Sequence, residues 1–160
     1  MNLASRICLI ASLGLACATA QAQDAAAQDA TSAASPAANS ATASMIGAVP
    51  EGKGQIVFFR PSKFAGAAVG FIVREGETEL GKLRSGNYFV AAVEPGTHQY
   101  TVHSEAKDVL TMEVEAGETY FVQGSITMGM MTGRPNLSPS DRAAFDAAAP
   151  KLKPSKPLGD

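Results

Sequence analysis

Between Lys53 and about Met128 the chain alternates short apolar-rich runs with turn-forming residues. Gln55–Arg60, Ala68–Arg74, Thr78–Leu83, Asn87–Val93, Thr97–His103, Val109–Glu115 and Thr119–Thr127 are rich in β-branched and aromatic side chains. Such runs pack well on a pleated, half-buried surface and predict strands. Glu75-Gly76, Ser85-Gly86-Asn87, Glu94-Pro95-Gly96 and Glu115-Ala116-Gly117 separate them, supplying the positive φ and local hydrogen bonding that reverse a chain. Short strands recurring about every ten residues predict a mainly β fold. The expected form is a seven-stranded antiparallel β-sandwich, immunoglobulin- or transthyretin-like, with no alternation of β and α units.

Parity within the runs assigns the faces. Leu110, Met112 and Val114 point one way, while Thr111, Glu113 and Glu115 point the other. Tyr100 and Val102 likewise share a face opposite Thr101 and His103. One dry and one wet face is what two stacked sheets require. The run Tyr88–Val93 is apolar on both faces, so it is expected to be central or covered by the C-terminal segment. A short internal echo, Val93-Glu-Pro-Gly against Val114-Glu-Ala-Gly and Tyr88-Phe-Val against Tyr120-Phe-Val, reads as repeated hairpin chemistry at equivalent edges.

The flanks differ from this domain, which is bounded at 53–135. Ser138-Pro139-Ser140-Asp141 carries a cap, a first-turn proline and an acid at the positive end of a helix dipole. One short C-terminal helix is expected within 136–149, ended by Pro150 and anchored by Phe145, followed by a disordered tail over 150–160. Upstream, residues 23–52 read as a disordered linker: Gln23–Pro50 is Ala-, Ser-, Thr-, Gln- and Asn-rich without Lys, Arg or aromatic residues.

Residues 1–22 read as a secretory signal. Arg6 precedes the apolar stretch Ile7–Ala18, and small-x-small sites follow, favouring cleavage after Ala22 with Ala20 second. Both cysteines, Cys8 and Cys17, fall inside it, so a cleaved chain has no thiol. Gly14-Leu15-Ala16-Cys17 also resembles a lipobox, which would make Cys17 a lipid anchor. The expected location is therefore the periplasm or cell envelope, with membrane association only if Cys17 is lipidated.

Composition narrows function further. The 160 residues are 46% hydrophobic and 18% charged, with net charge −2 and no Trp. That balance argues against a nucleic-acid binder, and no apolar run reaches the roughly 18 residues of a spanning helix. Phe59-Arg60-Pro61, Gly81-Lys82-Leu83, Tyr88, Pro95-Gly96-Thr97-His98 and Ala116-Gly117-Glu118-Thr119-Tyr120 together resemble a bacterial exported domain family known as domain of unknown function 2846. The Pro-Gly-x-His turn is also similar to that of PEGA and carboxypeptidase regulatory-like sandwich modules. Membership of the first family implies export or lipid anchoring and supplies no catalytic residues.

Candidate chemistry is sparse. His98 and His103 lie five apart on one strand and point to opposite faces, so they cannot chelate jointly. His98 is expected beside the Pro95-Gly96 turn, bonded to backbone, and His103 in solvent. Met128, Met130 and Met131 offer thioethers of the kind that suit Cu(I), so the alternative function is a periplasmic small-ligand or Cu(I)-type metal carrier, set against ordinary core filling. Glu75, Glu77, Glu79, Glu113, Glu115 and Glu118 read as a solvated rim. Arg60, Lys63, Arg74, Lys82 and Arg84 read as a basic patch open to an anionic envelope polymer. No Ser-His-Asp order, phosphate loop or zincin spacing occurs. The expectation is a non-enzymatic module with no cofactor, binding an envelope protein or polymer. An enzyme would need a deep pocket holding His98 and a carboxylate.

Overall fold

β1 (Gly54–Arg60) is buried along its whole length, and the rest of the architecture explains why. A computed structural model describes residues 42–103, 107–128, 133–156 and 158. Among these it shows eight further strands: β2 (Phe71–Glu75), β3 (Thr78–Leu83), β4 (Asn87–Val93), β5 (Gly96–His103), β6 (Lys107–Val114), β7 (Thr119–Met128), β8 (Gly133–Ser140) and β9 (Lys153–Pro154). One sheet has the order β8-β7-β1-β4-β9 and the other β3-β2-β5-β6. The protein is a mainly β two-sheet sandwich with one short C-terminal helix. Its four-stranded sheet is antiparallel throughout. In the five-stranded sheet β1 runs antiparallel to β4 but parallel to β7, and β9 is parallel to β4.

Period-two burial builds the inner core. Ile56, Phe58, Val93 and Val122 of one sheet meet Phe71, Val73, Leu83, Tyr100, Val102, Leu110 and Val114 of the other. At its centre the Phe58 ring stacks on Phe89 at 5.0 Å and meets Tyr100 edge-on at 5.2 Å, the two geometries aromatic quadrupoles prefer. Gly81 makes room for this: a Cβ there would stand 2.7 Å from the Phe89 ring.

The alternate residues of the five-stranded sheet form a second core on its outer face. Val57, Phe59, Tyr88 and Phe121 pack there against Phe145, Ile46 and Leu152. Phe145, fully buried, makes ring contacts with Phe59, Tyr88 and Phe121 at 5.4 to 5.9 Å. The strand Tyr88–Val93 is thus covered by the C-terminal segment, and β1 even more completely.

Both flanks are more ordered than their composition predicts. The helix spans Arg142–Ala148 and starts later than Ser138. Asp141 is its cap, its carboxylate accepting from the Ala144 N–H at 2.7 Å, while Ser138-Pro139-Ser140 complete β8. An edge strand tolerates Pro135 and Pro139 because their missing N–H groups are not needed by a further neighbour. Past Pro150, Leu152 is buried, and the Lys153 and Ser155 N–H groups donate to Gly86 and Tyr88 carbonyls at 2.9 and 2.7 Å. This is a strand where a disordered tail is expected. Residues 42–46 form a helical turn, with Thr42 and Ile46 buried, so the linker ends earlier than residue 52. The signal, Cys8, Cys17, Ala22 and residues 23–41 lie outside the described residues.

The echoed segments do not form hairpins. Val93-Glu-Pro-Gly carries the chain from β4 across to β5, and Val114-Glu-Ala-Gly carries it from β6 back to β7, so each is a crossing between sheets. Gly96 and Val114 are paired, which brings both crossings to one end of the sandwich. The aromatic triplets have opposite phase: Tyr88 faces the helix, whereas Tyr120 packs on the inner core.

Polar ties close both sides of the sandwich. The Leu137 N–H and Asn136 amide of β8 donate to Asp108 of β6 at 2.9 and 3.3 Å. Opposite, the Ser155 hydroxyl donates to the Lys82 carbonyl of β3 at 2.6 Å.

Candidate functional site

The outer face of the four-stranded sheet has no covering layer among the described residues. Strand parity places Ile72 and Arg74 of β2, Lys82 of β3 and His103 of β5 on it, opposite the inward Phe71, Val73, Leu83 and Val102. There the sheet bears an open cleft of about 410 Å³, lined by Gly70, Phe71, Ile72, Arg74, Lys82 and His103. That volume is within the range of ligand sites, roughly 300–1,000 Å³. Arg74 pairs with Glu79 at the far end, whereas no carboxylate among the described residues bridges Lys82 or His103. Phe71 and Ile72 supply its apolar lining, and Arg74, Lys82 and His103 its polar lining. Lys82 gives this surface a cation that attracts anionic groups, while the Arg74 guanidinium is engaged by Glu79.

The predicted basic patch divides. Arg60 leaves it, being only 3% exposed. Its guanidinium donates to the Val69 and Gly66 carbonyls at 2.6 and 2.7 Å and lies 5.7 Å from the Phe71 ring centre. Burial lowers its pKa, as expected when water is withdrawn from a cation. Lys63 leaves the patch too: it lines a smaller cavity beside Arg60, and its backbone exchanges hydrogen bonds with the Ser85 hydroxyl at 3.0 and 2.9 Å. Arg84 borders the larger cleft, since its Cγ would touch a Cβ at Gly70. His103 joins the cleft, a placement invisible in the sequence because β2, β3 and β5 become neighbours only through the sheet order.

His98 faces the other way, toward the interior, and finds more than the expected backbone partner. Its Nε2 lies 2.7 Å from the Glu94 carbonyl and its Nδ1 2.5 Å from the Glu75 carboxylate. Glu75 is accordingly no solvated rim residue. Burial of His98 works against its charge, but the Glu75 and Glu94 hydrogen bonds and the Glu75 charge outweigh it and raise the pKa. Both nitrogens face acceptors, which the imidazolium satisfies and neither neutral tautomer does. No lone pair is then left for general-base chemistry. The ring stacks at 6.0 Å on Tyr100, whose buried hydroxyl has no partner among the described residues. Burial, and secondarily the Glu75 charge, raises the Tyr100 pKa. The His98–carboxylate pair that an enzyme would need is present, but neither it nor Glu75 lines the cleft above or a smaller one of about 30 Å³ beside Arg60.

Met128 ends β7, and Met130 and Met131 lie outside the described residues. Among the described residues no three His, Cys, Asp or Glu side chains gather as a metal site, and no helix is long and apolar enough to cross a membrane.

A family model described as "Protein of unknown function (DUF2846)" matches residues 50–135, more than half of the chain. It covers β1 through the start of β8 and so includes every wall of the cleft. The turn-level likeness to PEGA and carboxypeptidase regulatory-like modules is not confirmed. No curated protein and no solved structure matches.

Proposed function

This chain belongs to the DUF2846 family, and from that premise we propose that it is a non-enzymatic module of the cell envelope that binds an anionic polymer through its open cleft. One observation carries the reading: Arg74, Lys82 and His103, from three different strands, line one open cleft with Phe71 and Ile72. A rigid sheet presents these groups at fixed spacing, which favours a repeating anionic chain whose charges recur along its length. Export to the periplasm or envelope is part of the same proposal. It rests on the N-terminal pattern of Arg6, the apolar stretch and the small-x-small sites ending at Ala22.

The test uses fluorescence anisotropy with labelled dextran sulfate as the anionic probe and neutral dextran as its control. The wild-type chain should bind the sulfated polymer alone, and more weakly as salt screens the walls. Lys82→Glu should weaken that binding about tenfold or more, the equivalent of ~1.4 kcal/mol, with an unchanged thermal midpoint. Equal binding of both dextrans, or undiminished binding by Lys82→Glu, would refute the proposal.

A further inference from the structure

The loop between β1 and β2, residues 61–70, projects a feature that the cleft does not use. Three large apolar side chains are exposed among the described residues: Phe64, Val109 and Leu158. Of these, Phe64 alone is completely exposed. Its neighbours Ala65, Ala67 and Ala68 are exposed as well. A slack loop would fold such a ring back onto the surface to escape water. This one is held in place. Ala67 N–H donates to the Phe64 carbonyl at 3.2 Å and Val69 N–H to Gly66 at 3.1 Å. Gly66 takes a positive φ of 71°, and the buried Arg60 guanidinium clamps the Gly66 and Val69 carbonyls from beneath. The backbone that carries Phe64 at the surface is thus fixed by the fold.

Charge identifies the occupant. The loop residues 61–70 contain no Asp or Glu, and the loop places exposed Lys63 directly beside Phe64. Through Ser85, Lys63 is tied to the end of β3 that bears Lys82 and Arg84. An aromatic tip with small apolar shoulders and a collar of cations matches the boundary of an anionic bilayer. There the ring enters the acyl region while ammonium groups meet headgroup phosphates. We infer that the 61–70 loop is a membrane-contact tip, inserting Phe64 into anionic phospholipid. The contact is weak and reversible, of the kind that stabilises attachment only alongside a second signal. It does not depend on polymer binding in the cleft.

The absence of tryptophan makes the test specific, because Phe64→Trp creates a single indole at the tip of the full chain. A matching reporter, Val109→Trp, sits on the exposed outer face of β6. Vesicles of phosphatidylcholine with 30% phosphatidylglycerol should shift the Phe64→Trp emission to the blue. Lipids brominated near the headgroup end of the acyl chain should quench it at least twofold. Val109→Trp should not respond, pure phosphatidylcholine should give a much smaller effect, and Lys63→Glu in the Phe64→Trp background should reduce the quenching about threefold or more. These variants alter exposed side chains only, and an unchanged thermal midpoint checks their folding. An unquenched Phe64→Trp indole on the anionic vesicles overturns the inference, as does equal quenching at Val109. So does a blue shift that occurs with envelope proteins and not with lipid, which would assign the tip to a protein. None of these readouts involves dextran sulfate, so failure here leaves the cleft proposal standing, and the reverse.

Discussion

The two outer faces of this sandwich are treated in opposite ways. That of the five-stranded sheet is apolar, with Val57, Phe59, Tyr88 and Phe121, and both ends of the described chain return to cover it through Ile46, Phe145 and Leu152. That of the four-stranded sheet is polar, with the Arg74–Glu79 pair, Lys82 and His103 around Ile72, and carries no covering layer among the described residues. A sheet face needs burial only if its side chains cannot be hydrated. The chain therefore commits its flanking segments to stability on one side and leaves the other side uncovered among the described residues. Stability and binding should be separable by mutation along the same division.

The largest effect should come from the covered face. Phe145→Ala removes the ring that Phe59, Tyr88 and Phe121 all touch, and urea denaturation should show a loss of ~3–5 kcal/mol. Lys82→Ala on the open face should stay within about 0.5 kcal/mol of wild type in the same assay. Comparable losses at both positions would break the comparison.

Gly81→Ala comes next, since its methyl group would press into the Phe89 ring, a rigid neighbour. Overpacking there should cost roughly 1–3 kcal/mol, again read by denaturation. His98→Asn probes the end of the interior, where a charge pair meets the core, and should lose about 1–3 kcal/mol. The sign with pH follows from the raised pKa. The His98 contribution is complete below the unfolded value of 6.5 and is lost as pH rises through the higher folded value. The gap between wild type and His98→Asn should therefore narrow from pH 6 towards alkaline pH, and a gap that widens would contradict the imidazolium.

The smallest effect has an unusual sign. Tyr100→Phe deletes a buried hydroxyl with no partner among the described residues, so the thermal midpoint should hold or rise, by at most ~1 kcal/mol of stability.

Alternation made β5 and β6 legible, and short runs of β-branched and aromatic residues bounded by turns did the same for β1 to β4 and β7. Phe145 was legible as the one large apolar side chain of a short helix. The later strands were not. Gly133–Ser140 carries two prolines and a strong capping signal, and only its edge position, a property of the assembled sheet, makes a strand of it. Lys153–Pro154 becomes a strand because Leu152 anchors the chain beside β4, which no local pattern announces. Arg60 reads as a surface cation until Gly66 and Val69 turn their carbonyls towards it. His103 acquires its cationic neighbours and Glu75 its histidine through pairings between distant segments, β2 with β5 above all. Local propensity reports what a segment can be, whereas site membership depends on which segments meet.

The parallel pairing of β1 with β7 has a consequence for how the chain acquires its structure. Gln55 aligns with Thr119 and Phe59 with Gln123, so the most buried strand of the molecule waits for one that emerges far later from the ribosome. A nascent chain ending at Val114 holds all four strands of one sheet, yet one flank of β1 is still unpaired and Phe145 has not been made. Long-range closure of this kind is slow. The strands β1 to β6 should thus remain pliable during synthesis and gain their rigidity together, in a late cooperative step, once β7 has docked.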